Sequence, residues 1–369
     1  MSSDFIPVAE PILGARELEL VVDCVKSGWI SSLGKYIPMF EQQFSAFCET
    51  RYGVATSNGT TALHLALVAL GIGPGDEVLV PDLTFIATAN CVSYTGATPV
   101  FVDVDPLTWT MDPHDMEKRI TAATKAAIPV HLYGHPCDMD PIMAIARRHK
   151  LFVVEDAAEA HGARYRGRRV GGLGDIGVFS FYANKIITTG EGGIVVTNNK
   201  EWADKSAWLR DHGMSKERRY YHPVIGFNYR MTNLQAAVGV AQMERIEEFV
   251  ALKRQLGVLY NKHLAGIAGI TLPPEAPWAE NVYWMYSILV DAQAFGCDAA
   301  ALMAWLRQNQ IDSRPFFVPM HENPPHQRPD AYPVSTRLSK QGINLPSAPN
   351  LTEATIIRIT DAIRARARP

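Results

Sequence analysis

Lys185 is the residue whose position most clearly suggests chemistry. It follows the apolar run 178–181 and precedes a second apolar stretch and the glycine-rich segment 190–193. A lone lysine is usually a solvated surface residue, but a lysine flanked by apolar residues between two predicted strands is typical of a cleft. Burial lowers the pKa of an ammonium group, so the free amine of such a lysine can act as a nucleophile.

A carboxylate is expected in the same region. Asp156 closely follows the apolar segment 151–154, which predicts that it lies at the carboxyl end of a buried strand. A partly desolvated carboxylate needs a positively charged partner. The alternative is that Asp156 caps a helix, since Ala-Ala-Glu-Ala follows it.

A third segment could bind phosphate. Residues 58–61, Asn-Gly-Thr-Thr, precede apolar residues that recur with helical spacing. Those residues are Leu63, Ala66, Leu67 and Leu70. Free backbone amides at a helix N-terminus bind phosphate, although a simple N-cap at Asn58 is the alternative. A phosphate-binding turn, a strand-end carboxylate and a nucleophilic lysine together match what pyridoxal phosphate requires.

These segments need a scaffold that brings strand ends together. Short apolar runs bounded by turn residues predict buried strands at 78–80, 100–102, 127–130, 151–154, 178–181 and 194–196. Helical patterns lie between several of them, so we expect an α/β fold with a mostly parallel sheet and helices on both faces. One such helix is predicted to have Asp140 as its N-cap and Pro141 as its first residue, and to end near Lys150.

The chain is long enough for about two domains at roughly 150 residues each. A long helical pattern runs over 233–260, and mixed, proline-rich signals follow it. We therefore predict a large domain over 1–245 and a smaller C-terminal α+β domain over 246–369.

Composition excludes several classes of function. With 35 Lys and Arg against 38 Asp and Glu, the net charge of −3 provides no general basic surface for nucleic acid or an anionic membrane. The five cysteines are scattered without a CxxC pair, which argues against a disulfide framework and fits a reducing cytoplasm. No apolar stretch approaches the roughly 18 residues of a membrane span, and the N-terminus has no signal-peptide pattern. We expect a cytoplasmic protein.

Two further motifs predict no site. Residues 172–177 match G-x-G-x-x-G, but a strand is predicted after them where a dinucleotide site needs a helix. His131, His135 and Cys137 have no fourth ligand at a recognisable spacing, so we expect them to line a cleft without a metal.

Several longer segments resemble the DegT-type sugar aminotransferases, which are fold type I enzymes that use pyridoxal phosphate on nucleotide-linked keto-sugars. The segments are SGWISSLGKY (27–36), NGTTALHLAL (58–67), VPDLTFIATAN (80–90), VEDAAEAHGA (154–163), FSFYANKIITTGEGG (179–193) and GFNYRMTNLQAAVG (226–239), and the similarity continues through 313–321 and 343–347. The resemblance implies a sheet of the seven-stranded type and transfer of an amino group from L-glutamate, with pyridoxamine phosphate formed during turnover.

The resemblance also implies roles for single residues. Lys185 corresponds to the Schiff-base lysine and Asp156 to the carboxylate that pairs with the pyridine nitrogen. The other implied cofactor contacts are Gly59, Thr60 and Ser180 at the phosphate, Phe85 stacked on the ring, Glu159 at the ring hydroxyl, and Asn228 reaching the phosphate from a neighbouring subunit. Many relatives carry Gln in place of Glu159, which leaves its hydrogen bonding open because an ionised carboxylate cannot donate. For Phe85, the alternative is packing in the core.

Contacts with the substrate are expected from Trp29, Arg230, Arg314 and His321. Each has a structural alternative: a core anchor for Trp29, an interface ion pair for Arg230, a structural role for Arg314 and a hydrogen-bonded loop histidine for His321. Residues donated from a neighbouring subunit imply a homodimer with shared sites.

The sequence leaves other functions open. An aminotransferase acting on a UDP- or dTDP-linked sugar fits the same motifs, because no local motif distinguishes the nucleotides. A regulatory protein that binds the cofactor without turnover is another alternative. A dehydratase of this family has His in place of the lysine, which Lys185 argues against. A nicotinamide oxidoreductase is the weakest alternative because the glycines are misplaced.

Overall fold

A seven-stranded sheet, here called the central sheet, carries the strand ends at which the site was predicted. The computed structural model describes residues 5–368. The strands are β1 (Tyr52–Thr56), β2 (Glu77–Pro81), β3 (Thr98–Val102), β4 (Thr124–Ala127), β5 (Phe152–Asp156), β6 (Arg164–Tyr165), β7 (Arg168–Arg169), β8 (Ile176–Ser180), β9 (Gly193–Thr197), β10 (Ile270–Thr271), β11 (Ala279–Glu280), β12 (Tyr286–Val290), β13 (Arg314–Pro315) and β14 (Gly342–Leu345).

Helices cover the central sheet and build the C-terminal part. They are α1 (Ala15–Ser27), α2 (Tyr36–Phe47), α3 (Gly59–Leu70), α4 (Ala87–Tyr94), α5 (Pro113–Lys118), α6 (Met139–His149), α7 (Lys200–Leu209), α8 (Asn233–Met243), α9 (Ile246–Leu264), α10 (Ala292–Phe295), α11 (Ala299–Gln308), α12 (Pro333–Gln341) and α13 (Glu353–Arg364). Short 3₁₀ turns lie at Leu132–Gly134, Met320–Glu322 and Pro324–His326.

The strand order of the central sheet is β1-β9-β8-β5-β4-β2-β3. The pairs from β8 through β5, β4 and β2 to β3 are parallel, whereas β9 runs antiparallel to both β1 and β8. This confirms the predicted mostly parallel sheet. The carboxyl ends of β2, β5 and β8 therefore meet at one edge, where ligands of such sheets bind.

Most predicted strands are present, but one is displaced. The predicted strand 127–130 overlaps β4 only at Ala127. Pro129 has no N–H to donate, so the regular ladder ends before it, and Val130 is left with an isolated bridge to Asp156. Strand β1 was not predicted.

Two helix predictions are corrected by the structure. The N-cap of α6 is Asp138 rather than Asp140, which lies in the first turn together with Pro141. A proline is tolerated there because first-turn amides have no intrahelical acceptor. The predicted helical stretch over 233–260 is two helices, α8 and α9, separated at Glu244 and Arg245.

Two smaller sheets complete the fold. The C-terminal sheet has the order β10-β12-β14-β13, and its pairs are antiparallel. The third sheet joins β11 to β6 and β7 and so links both halves of the chain. The domain boundary at 245 stays a prediction. Among the residues described, no helix is long and apolar enough to cross a membrane.

Candidate active site

Lys185 lies in the loop between β8 and β9, as the sequence predicts. Its backbone N–H donates to the Tyr182 carbonyl at 2.9 Å, and its partly buried side chain extends to the indole of Trp284, with Nζ 3.7 Å from the ring centroid. Burial lowers the pKa of the Lys185 ammonium, and the carboxylates of Glu159 and Asp156 oppose this effect. The lysine is thus held next to acids in a partly desolvated place.

Asp156 is the last residue of β5 and is 5% exposed. Its Oδ2 accepts a hydrogen bond from the Thr88 hydroxyl at 2.8 Å, and its Oδ1 accepts one from the Ala158 N–H at 3.2 Å. Burial raises the pKa of this carboxyl, and the two donors limit the rise. No helix follows Asp156, so the alternative interpretation as an N-cap is wrong.

Glu159 places a second carboxylate beside the lysine. Its side chain is 4% exposed, and Oε2 accepts from the Tyr133 N–H at 2.8 Å. Burial raises the pKa of Glu159, whereas the charge of Lys185 lowers it. Since both carboxyls are buried near one lysine, the protonation of each group affects the other two.

The predicted phosphate-binding turn begins α3 next to the end of β8. The Asn58 side chain caps the helix by accepting from the Thr61 N–H at 2.9 Å. Within the described part of the chain, the N–H groups of Gly59 and Thr60 have no acceptor, as expected for a first turn. A Cβ at Gly59 would lie 2.7 Å from Cβ of Ser180, so only glycine allows this close approach. The N-cap at Asn58 and a phosphate-binding turn are therefore compatible, because the same turn contains the cap and the free amides of Gly59 and Thr60.

Phe85 follows β2 and is 54% exposed, so it does not belong to the core. Its ring lies 5.7 Å from the ring of Phe317, which in turn stacks at 5.3 Å on Tyr133. Tyr133 also stacks on Trp284 at 6.3 Å. A row of aromatic rings therefore runs from Phe85 to the side chain that contacts Lys185.

His321 is tied to a strand end that the sequence analysis overlooked. Asp82 directly follows β2 and is fully buried, and its carboxylate pairs with the His321 ring at 2.8 Å and accepts the His321 N–H at 2.9 Å. His321 thus has the hydrogen bonds of a fixed loop residue, while its role at the sugar stays a prediction. The signal for Asp82 was its place after an apolar strand, as for Asp156.

Asn228 and Arg230 lie together in an exposed segment. Arg230 Nε donates to Asn228 Oδ1 at 3.1 Å, and its Nη1 pairs with Asp211 at 2.9 Å. The ion pair of Arg230 is therefore made within this chain. The segment before it exposes apolar surface, with Ile225 89% exposed. A contribution of Asn228 and Arg230 to a neighbouring subunit stays a prediction.

Trp29 and Arg314 are not brought to Lys185. Trp29 is 57% exposed beside a surface groove of about 520 Å³, so it is not a core anchor. Arg314 is exposed and bonds to its neighbours Asp312 and Ser313. Among residues 5–368, the hydrogen bonds, ion pairs and ring contacts of these two residues do not include the buried acids or the lysine. Their substrate roles stay predictions.

The glycine-rich segment 172–177 binds an internal carboxylate. Glu155 Oε1 accepts from the N–H groups of Leu173 at 2.7 Å and Gly174 at 2.6 Å, and Oε2 accepts from Gly171 at 2.8 Å. Strand β8 follows the segment, as predicted. Its amides are thus occupied, which argues against a dinucleotide site.

The predicted cleft lining by His131, His135 and Cys137 is wrong. These residues are buried, with 0%, 2% and 0% of their surface exposed. His131 Nδ1 accepts from the Cys137 N–H at 3.0 Å, so Nε2 donates to Glu155, 3.0 Å away. Across the described chain, no group of three or more His, Cys, Asp or Glu could hold a metal ion.

The site also uses residues that sequence reasoning missed. Thr88 lies in the resembling segment 80–90 and could have been suspected as a partner of the strand-end acid. Tyr133 and Trp284 carry no local signal, because their contacts with Glu159 and Lys185 depend on the tertiary fold.

This geometry is that of a fold type I aminotransferase. It combines a lysine between two strands, an acid at the neighbouring strand end and a helix N-terminus with free amides. The chain belongs to the DegT/DnrJ/EryC1/StrS aminotransferase family, whose profile matches residues 11–364. Known proteins are similar to this chain over almost its whole length. The GDP-perosamine synthase of Caulobacter vibrioides is 49% identical over 361 residues, which cover 97% of each chain, and that of Escherichia coli O157:H7 is 46% identical over 97% and 98%. The crystal structure of S. venezuelae DesV in complex with a ketimine intermediate superposes with a TM-score of 0.90 at 38% identity, covering 95% and 93%.

Proposed function

We propose that the chain uses pyridoxal phosphate to transfer the amino group of L-glutamate to the C4 ketone of GDP-4-keto-6-deoxy-D-mannose, giving GDP-perosamine. The observation that carries the proposal is the partly buried Lys185 beside the buried carboxyls of Asp156 and Glu159 at the edge of the central sheet. The choice of sugar follows the perosamine synthases to which the chain is 49% and 46% identical. The amino sugar would serve cell-surface polysaccharide synthesis.

The residues present fit the cofactor. Gly59 and Thr60 offer a phosphate two amides that have no acceptor among residues 5–368, and the missing Cβ of Gly59 keeps the approach to Ser180 open. Asp156 is a buried carboxylate whose hydrogen-bond donors are a hydroxyl and an amide, so it suits a pyridinium nitrogen. Phe85 presents an exposed ring at the same edge. We assign these residues to the phosphate, the ring nitrogen and the ring face.

When bound, pyridoxal phosphate supplies an aldehyde for the amine and a ring that accepts an electron pair. The chain's own residues supply the rest. A carboxylate next to a cation keeps its negative charge. Asp156 would therefore stay anionic beside the protonated ring nitrogen and would favour that protonated form. Glu159 is fixed by the Tyr133 N–H and can carry the proton for a hydrogen bond to the ring hydroxyl, since its burial raises its pKa.

Lys185 moves the protons. Its amine has a lowered pKa because of burial, so Nζ takes the proton from Cα of glutamate and later delivers one to the sugar carbon. The overall reaction is balanced: glutamate is oxidised to 2-oxoglutarate, and the ketone is reduced to the amine. One 2-oxoglutarate therefore forms for each amino sugar, in two half-reactions that share one site.

The proposed assembly is a homodimer. Asn228 and Arg230 lie in an exposed segment with apolar neighbours, which suits delivery to a second copy. In that dimer Asn228 would contact the partner's phosphate, and Trp29, Arg230, Arg314 and His321 would contact the nucleotide sugar.

A panel of substrates tests the proposal. The purified protein is incubated with pyridoxal phosphate, glutamate and the GDP-, UDP- or dTDP-linked 4-keto-6-deoxyhexose, and the products are identified by mass and NMR. We expect amination at C4 of the GDP sugar, with an equal amount of 2-oxoglutarate. Lys185→Ala should abolish both products while retaining the fold, because it removes the amine that lies beside Glu159 and Asp156.

The control is Lys200→Ala, which removes an exposed lysine paired with Asp204 on the surface and should keep full activity. Faster amination of a UDP or dTDP sugar would contradict the proposed substrate and leave the aminotransferase assignment intact. An active Lys185→Ala protein would refute the role of the lysine. Binding of pyridoxal phosphate without 2-oxoglutarate formation would favour a regulatory protein.

A further inference from the structure

The indole of Trp284 covers the amine of Lys185. Its ring centroid lies 3.7 Å from Nζ, and its Nε1 donates to the carbonyl of Asn184 at 2.8 Å. Trp284 is 6% exposed, so this contact is shielded from water. The indole of Trp284 therefore contacts both the backbone of Asn184, just before the lysine, and Nζ at the end of the Lys185 side chain.

The backbone of Trp284 is itself fixed from two sides. Lys253 on α9 is 2% exposed, and its Nζ donates to the Trp284 carbonyl at 2.8 Å and to the carbonyl of Ser347. On the other side, a Cβ at Gly134 would lie 2.8 Å from the Trp284 nitrogen, so the two backbones touch. These contacts fix the backbone from which the indole extends.

We propose that Trp284 is a positioning residue that holds Nζ of Lys185 on its ring face and favours the protonated amine, and that Lys253 keeps Trp284 in place. The proposal rests on the function proposed above for Lys185. A cation over an indole face is attracted by the ring quadrupole, and tryptophan is the strongest of the aromatic residues in this respect.

Other groups also act on the amine. The carboxylates of Asp156 and Glu159 favour the protonated form, whereas burial favours the neutral form. His161 is fully buried nearby and stays neutral, because its pKa is lowered to about 3 by burial. The ring face of Trp284 favours the protonated amine as well, in the same direction as the two carboxylates. It also keeps the released amine at one place, which matters because a proton donor must be oriented to act efficiently.

The test uses cofactor-free protein and needs no turnover. The rate of reductive methylation of Lys185 is measured against pH by peptide mass mapping, which gives the apparent pKa of its amine. In Trp284→Leu we expect this pKa to fall by about half to one unit. Trp284→Phe, which keeps a weaker ring, should show a smaller fall, and Lys253→Met should shift it in the same direction.

Trp278→Leu is the matched control, because Trp278 packs against Tyr165 and His135 rather than Lys185. It should leave the profile of Lys185 unchanged. An unchanged profile in folded Trp284→Leu would overturn the proposal, and if that variant does not fold, an unchanged profile in Trp284→Phe decides against it. A wild-type profile in Lys253→Met would overturn the role of Lys253.

These outcomes are distinct from failure of the proposed function, which would appear as absent or different products in the substrate panel with wild-type protein. The pKa of Lys185 in the cofactor-free protein does not depend on that result.

Discussion

The carboxylate of Glu155 offers a direct test of how the active-site edge is held together. Four N–H donors converge on it: three backbone amides from the segment 171–174 and Nε2 of His131, at 2.6 to 3.0 Å. Both Glu155 and His131 are fully buried. In Glu155→Gln, one oxygen can still accept, but the new NH₂ group faces donors where an acceptor stood.

The magnitude follows from the contacts. Each hydrogen bond to a charged group contributes about 1.5–3 kcal/mol, so losing the two on one oxygen costs roughly 3–6 kcal/mol. If this cost lowers the free energy of local opening of the segment 171–174, the amides of the segment should exchange with solvent at least about 100-fold faster, since 1.4 kcal/mol corresponds to a factor of ten. The catalytic rate should fall as well, because Asp156 is the next residue of β5.

The assay is native-state hydrogen exchange of the peptide that covers 169–177, together with turnover. Glu49→Gln is the control, because the Glu49 side chain is 51% exposed and lies 3.5 Å from Arg164, and such surface pairs contribute about 0–1 kcal/mol. Equal exchange of this peptide in wild type and Glu155→Gln would show that the four donors do not hold the segment.

Two further changes have defined outcomes. Gly59→Ala places a methyl group 2.7 Å from Cβ of Ser180, so we expect a markedly higher Kd for pyridoxal phosphate in an absorbance titration; an unchanged Kd would place the phosphate elsewhere. His161 has a pKa lowered to about 3 by burial, so the unfolded chain binds one more proton below pH 6.5 and the free energy of unfolding falls as the pH drops, by about 1.4 kcal/mol per pH unit. In urea unfolding, His161→Phe should flatten this dependence between pH 6.5 and 4 and the exposed His114→Phe should not; equal slopes would contradict neutral burial.

Local pattern predicts much of the scaffold and the reactive lysine. The apolar runs correspond to β2, β3, β5, β8 and β9, because a strand buried on both faces needs a continuous apolar segment. The pattern does not show that β9 runs antiparallel to its neighbours, because a buried strand has the same apolar sequence pattern in either direction. The break between α8 and α9 was missed because the apolar spacing continues across it.

The site was predicted less evenly than the fold. Lys185, Asp156 and Glu159 follow strand ends or a recognisable segment, and the structure groups them. Trp284 and Tyr133 could not be found in this way, because they reach the lysine and Glu159 through packing between segments far apart in sequence. Trp29 is a different case: its side chain is 57% exposed, which excludes a core anchor, and its predicted contact with the substrate stays a prediction.

Strand periodicity decides which of two adjacent acids faces the lysine. Glu155 and Asp156 are consecutive in β5, and successive side chains of a strand point to opposite faces. Glu155 therefore binds the segment 171–174, while Asp156 accepts from Thr88 beside the lysine. A slip by one residue would exchange the two carboxylates. The amides that bind Glu155 lie next to the start of β8, the strand paired with β5, so the buried contact of one acid fixes the register that delivers the other to the active site.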